Sequence, residues 1–155
     1  MAETAFRNHN HRDCVIRGVG LLKRYCNDNS IKLSDTRQAV FKILLEQHKA
    51  IGAYEILARL QEMGLNAQPP VAYRHLDFLV NNGFAHKIER FNAFIACTDI
   101  GAVHDPAFFI CKKCRLVSET SSDSSITALH HKASAADFEI EESIVEVLGM
   151  CPDCR

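Results

Sequence analysis

Four of the seven cysteines in this 155-residue chain fall into two short pairs, Cys111-Lys-Lys-Cys114 and Cys151-Pro-Asp-Cys154. A Cys-x-x-Cys turn aims two thiolates at one point, and two such turns complete the tetrahedral sulfur shell favoured by structural zinc. The 36 residues between the pairs exceed the usual ribbon spacing, yet they hold enough chain for a helix and a strand to fold the second pair back. One pair alone would leave a redox dithiol or buried, unligated thiols open; two pairs point to one shared ion. Four thiolates close the coordination shell, so the expected zinc stabilises rather than catalyses or senses. In zinc-finger peptides such binding supplies on the order of 10–16 kcal/mol, and its removal is expected to unfold the unit that carries it.

Three cysteines remain. Cys14 and Cys26 lie at helical spacing and read as core residues. Cys97 has His86, His104 and Glu119 near it in sequence, but spacing alone does not make these four a site. His9, His11, His48, His75, His130 and His131 read as surface or core histidines.

Positioning these residues requires two kinds of structure. Val15, Val19, Leu22 and Cys26 recur at helical spacing, and Ser34 is an N-cap before the stripe Val40, Ile43, Leu44, with Asp35 at the positive end of the dipole. Gly52 precedes a third stripe, Ile56, Leu57, Leu60, and Pro69-Pro70 opens a fourth helix that stops at Asn81-Asn82-Gly83. Beyond Gly83 the period shortens: Phe84–Glu89 and Phe94–Cys97 read as strands around an Arg90–Ala93 turn. Helices leading into a hairpin form a winged helix-turn-helix. After the connector at 98–105, strands are expected over Ala107–Cys111 and Arg115–Thr120, a helix over Ile126–Ala136 capped by Ser121–Ser125, and a long strand over Phe138–Leu148. The fold class is therefore α+β, with a winged helix-turn-helix over 1–97 followed by a small zinc-stabilised α/β domain over 98–155. A unit of the latter size needs a metal or a partner chain.

In the fourth helix Ala72, Leu76, Leu79 and Val80 share a core-facing stripe, with Arg74 opposite and Tyr73 and Asp77 flanking. Arg74 can make a bidentate contact to guanine and the Tyr73 ring can touch a thymine methyl. Phe78 fits neither face. Composition at first argues against nucleic acid, since the net charge is −1. That figure averages two parts: residues 1–100 hold 13 basic and 10 acidic residues, residues 101–155 hold 5 and 9. With 47% hydrophobic and 24% charged residues the chain reads as globular rather than disordered, with no run apolar enough to span a membrane and no secretory leader. Reduced thiols and a cytoplasmic location follow as expectations.

The run Gln68-Pro-Pro-Val-Ala-Tyr-Arg-His-Leu-Asp-Phe-Leu-Val-Asn-Asn-Gly-Phe-Ala-His-Lys, followed in register by Cys97 and the two knuckles, resembles the ferric uptake regulator family, and within it the zinc uptake regulator branch. The resemblance covers residues 15 to 155. It implies a dimeric, metal-dependent repressor of zinc-uptake genes that binds double-stranded operator DNA, with two zinc ions per subunit, a C-terminal dimerisation domain, and no membrane or small-molecule substrate. It places structural zinc on Cys111, Cys114, Cys151 and Cys154 and regulatory zinc on His86, Cys97, His104 and Glu119. It also places DNA contacts on Arg37 and Tyr54, beside Tyr73 and Arg74. The chain departs from the family at PPVAYR, where the commoner PPTVYR carries a capping Thr. It departs again at Val103-His104-Asp105-Pro106, where the iron branch has His-His-Asp-His.

The same residues bear on other functions. A sensor of iron, manganese or peroxide within the family is disfavoured by Cys97, because thiolate with imidazole favours zinc over Fe²⁺ or Mn²⁺. A zinc enzyme needs an open coordination position, which four protein donors would close. A zinc-stabilised interaction module without a DNA role is a third reading, separated from the repressor by whether Arg74→Ala abolishes a zinc-dependent operator shift with folding intact.

Overall fold

Helix α1 (His11–Asp28) starts where the Asn10 side chain accepts from the Arg12 N–H, and it buries Gly18, Leu22 and Cys26. Helix α2 (Asp35–Leu45) is capped by Ser34, whose hydroxyl accepts from the Arg37 N–H at 3.2 Å. Its Val40, Phe41, Ile43 and Leu44 are the centre of the core. Helix α3 (Ala53–Glu62) and helix α4 (Pro69–Asn81) complete the helical layer. The structure is a computed structural model describing residues 6, 10–102 and 104–155. The start of the expected 1–97 domain, His9 and Val103 lie outside the described residues.

The chain divides into two compact units between Gly101 and Ala102, four residues later than the expected boundary at Cys97. Ile100 explains the shift, because it packs against the core of the helical unit. In that unit the wing has one strand more than the sequence implies. Strand β1 (Ile51–Gly52), read above only as the lead into α3, pairs with β3 (Ala93–Ala96), which pairs with β2 (Ala85–Ile88), all antiparallel. The expected Arg90–Ala93 turn is a 3-10 turn over Glu89–Phe91 closed by Asn92 in the left-handed region, φ 46°. Gly83, φ 73°, lets α4 end and reverse into β2 without a Cβ penalty.

The C-terminal unit is a three-stranded sheet in the order β5-β4-β6, from β4 (Pro106–Cys111), β5 (Val117–Ser121) and β6 (Val145–Gly149), with α5 (Asp123–Ala135) as the connection. β4 and β5 are antiparallel, whereas β4 and β6 are parallel, which a helical crossover permits. Three expectations are corrected here. The long strand over Phe138–Leu148 shrinks to Val145–Gly149, because β4 offers β6 only the five partners Ala107 to Cys111. The helix begins at Asp123 rather than Ile126. Its N-cap, Ser122, makes no side-chain capping bond; its hydroxyl donates to the Asp105 carbonyl at 2.7 Å instead. No helix among the described residues is long and apolar enough to cross a membrane.

Ser34→Ala is expected to lower the stability of the helical unit by about 1 kcal/mol, because the Arg37 N–H then loses its partner. A thermal or urea midpoint unchanged from the wild type would contradict this role.

Candidate metal centres and nucleic-acid interface

Parallel pairing of β4 with β6 sends both strands out at the same end of the sheet, where Cys111 stands opposite Gly149. Both knuckles therefore sit at one edge. The first is tightened by the Arg115 N–H donating to the Cys111 carbonyl at 2.9 Å and the second by the Cys154 N–H donating to the Cys151 carbonyl at 3.0 Å. The Lys112 N–H reaches across to the Gly149 carbonyl at 3.0 Å and locks the two together. All four sulfur atoms lie within 4.8 Å of one another, and Cys114 Sγ and Cys151 Sγ are 3.7 Å apart. A tetrahedron with zinc–sulfur bonds of about 2.3 Å has edges of about 3.8 Å, so the cluster fits that ion. Cys111 and Cys151 are buried and Cys114 and Cys154 half-buried.

Proton occupancy in this cluster is uneven. Backbone N–H groups of Cys114, and next of Cys151, point at the Cys111 sulfur and hold its pKa down to about 6. Burial pushes the Cys151 thiol up. The hydrogen bond with the Cys151 thiol, followed by burial, pushes Cys154 up to about 12. One sulfur is thus a ready thiolate, and at least two others give up protons only to a cation.

Among the residues expected to hold the regulatory ion, two belong to each unit. In the C-terminal unit His104 and Glu119 are already paired. The His104 Nδ1–H donates to the Ala102 carbonyl at 2.9 Å, which turns Nε2 toward Glu119 Oε1 at 2.5 Å. With Nδ1 carrying a proton, the Nε2 lone pair and a carboxylate oxygen face each other, and only a shared proton or a metal ion makes that approach favourable. Metal-ligating histidines commonly give the second nitrogen to a backbone carbonyl, which fixes tautomer and ring plane. Glu119 itself is buried on β5 opposite Phe108. In the helical unit His86 is half-buried in β2 opposite Ile95. Cys97 is buried just beyond β3, and its N–H donates to the Phe84 carbonyl at 2.9 Å. Each unit thus offers donors of a kind zinc takes, imidazole with carboxylate in one and imidazole with thiolate in the other.

The helical unit presents the residues expected to meet DNA. Arg74 is exposed and Tyr73 half-buried on α4, and Tyr54 near the start of α3 is 73% exposed. Arg37, half-buried on α2, has its guanidinium carbon over the Phe78 ring, 3.8 Å from the centroid. That contact accounts for Phe78, which the helical stripe alone leaves unexplained. The stripe gains one member: His75 is buried alongside Ala72, Leu76 and Leu79, while Val80 packs half-buried against the same core. Burial first, and then the charges of Arg37 and Arg74, lower the His75 pKa, so it sits neutral beneath the basic surface near pH 7.

Architecture and site together describe a two-unit winged-helix metalloprotein. No family model matches the chain. The zinc uptake regulation protein of Escherichia coli is 32% identical over 133 residues, 85% of this chain and 78% of the relative. By that similarity the chain belongs to the zinc uptake regulator branch of the ferric uptake regulator family. A solved zinc uptake regulator complexed with zinc and DNA superposes with a TM-score of 0.84 at 30% identity, covering 90% of this chain and 93% of that one. The holo form of XcZur gives 0.76 at 34% identity, covering 87% and 94%.

Zinc loading of the metal-free chain near pH 7 should release at least two protons per chain at the sulfur cluster, from Cys151 and Cys154. Calorimetry in buffers of different ionisation heat measures the number. Release of fewer than two would contradict the protonation pattern.

Proposed function

We propose that the chain is a zinc-responsive transcriptional repressor that binds operator DNA as a homodimer and controls genes of zinc uptake in the cytoplasm. The observation that carries this reading is a second donor set beyond the closed sulfur cluster, one that includes the buried thiol of Cys97. A closed shell of four cysteines stabilises its unit and leaves sensing to something else. The second site assigned here is His86, Cys97, His104 and Glu119, the set that the family resemblance implies. Thiolate with imidazole selects zinc over Fe²⁺, and four protein donors leave no position for catalysis. The relatives support the same reading: one is named for zinc uptake regulation, and a solved neighbour is held with zinc and DNA.

Each side chain has a defined part. The Ala102 carbonyl keeps His104 Nε2 aimed for coordination, and β5 fixes Glu119. His86 lies in β2 and Cys97 follows β3 directly, so both are carried by the wing. Bound zinc neutralises the thiolate and carboxylate charges and ties the helical unit to the C-terminal one. In a dimer this fixes the spacing of two α4 helices, so that half-sites about one helical turn apart, roughly 34–36 Å, are met together. A coupling of about 1–3 kcal/mol is enough to change operator affinity from severalfold to about a hundredfold. A second copy has a surface to cover, because the C-terminal unit leaves Phe109, Leu129, Phe138, Ile144 and Val147 between 45% and 66% exposed.

Cys97→Ser separates the two ions. The variant is expected to keep one zinc per chain and its fold while losing the zinc-dependent gain in operator affinity, read by anisotropy with metal content measured alongside. Equal operator binding with and without zinc, in the variant and the wild type alike, would sink the sensing role. Loss of operator binding in Arg74→Ala with folding intact distinguishes DNA reading from a module that binds only protein.

A further inference from the structure

Arg37 and Phe78 come from different helices, α2 and α4, and the Arg37 guanidinium carbon stands over the Phe78 ring, 3.8 Å from its centroid. The remaining constraint on Arg37 is weak: its Nη1 donates to the Lys32 carbonyl at a long 3.4 Å. The Arg37 Nε is covered and has no hydrogen-bond partner, so the ring contact is made in spite of a buried donor. Stacking uses the face of the guanidinium and leaves its N–H edge in plane, the edge that forks onto phosphate oxygens. Phe78 is half-buried in the last turns of α4, on the helix that carries Arg74. We infer that Phe78 is a positioning residue for DNA binding, a platform that holds the Arg37 side chain in the orientation in which it meets a backbone phosphate. The inference rests on the repressor reading above and on the DNA contact that the family resemblance implies for Arg37.

Three features support a positioning role over ordinary packing. Phe78 packs against the core only in part, and its ring also stands under the half-buried Arg37 guanidinium, a contact that core packing alone does not require. The contact links the capped start of α2, where Ser34 holds the Arg37 backbone N–H, to the reading helix. A phosphate gripped there sets the register of α4 without itself reading sequence. Below the contact His75 carries no competing charge near neutral pH, because burial and the two arginines keep it unprotonated.

The test is a double-mutant cycle on the full-length, zinc-loaded chain, with Phe78→Leu, Phe78→Tyr, Arg37→Ala and the double variant Phe78→Leu/Arg37→Ala. The probe is a duplex selected from a random-sequence library by the zinc-loaded wild type, and binding is followed at several salt concentrations. Phe78→Leu, with unchanged zinc content and thermal midpoint, is expected to weaken binding about three- to fivefold. It should also reduce the slope of log affinity against log salt by about one, as Arg37→Ala does. Phe78→Tyr, which keeps the ring, should restore both, and Phe78→Leu should add nothing once Arg37→Ala is present. Equal losses with and without Arg37→Ala, or a loss with an unchanged salt slope, would overturn the positioning role. Wild-type affinity in Arg37→Ala would overturn it at its premise. A wild-type chain that selects no duplex would instead overturn the repressor reading, and this inference with it.

Discussion

Four sulfurs within 4.8 Å of one another, one of them a ready thiolate, make a tetrahedral shell whose full negative charge only a cation can balance. Everything in the C-terminal unit serves that constraint. The parallel pairing of β4 and β6 brings both knuckles to one edge, the Lys112–Gly149 hydrogen bond locks them, and backbone N–H groups at Cys111 neutralise part of the charge. Helix α5 buries only Ile126 among its described side chains, so packing contributes little. A unit this small, with so much apolar surface exposed, is of the kind that needs a metal or a partner chain beyond its own core.

The helical unit has the opposite economy. Its core runs from Leu22 through Phe41, Ile56 and Leu76, all fully buried, and needs no ion. That independence suits a sensor. A unit that folds without metal can be switched by a second ion while the ion that maintains the other unit's fold stays in place. The His104–Glu119 pair is poised for the switch, with one ring nitrogen spent on a carbonyl and the other facing a carboxylate.

Much of this was legible in the residues themselves. The paired knuckles, the Ser34 cap and the Pro69-Pro70 start of α4 each depend on local chemistry, and the structure has all three. What was not legible depends on partners distant in sequence. Ile51-Gly52 is too short to show a period and becomes a strand only because β3 offers it an edge. The length of β6 is set by β4, some forty residues earlier, so the alternating run from Phe138 overstated it. Phe78 breaks the stripe of its own helix because its partner stands on another. His86, Cys97, His104 and Glu119 were no site by spacing, and their assignment came from family resemblance; the orientation of His104 now gives half of that set a physical basis.

The central claim is that the two zinc ions are separable, one holding the fold and the other controlling DNA. Stepwise chelation of the zinc-loaded dimer, with zinc content, circular dichroism and operator binding followed together, tests it most directly. The account predicts that withdrawing the first equivalent abolishes tight operator binding while the fold and one zinc per chain persist. Operator binding that survives until the second equivalent leaves, or a fold that collapses with the first, would contradict it.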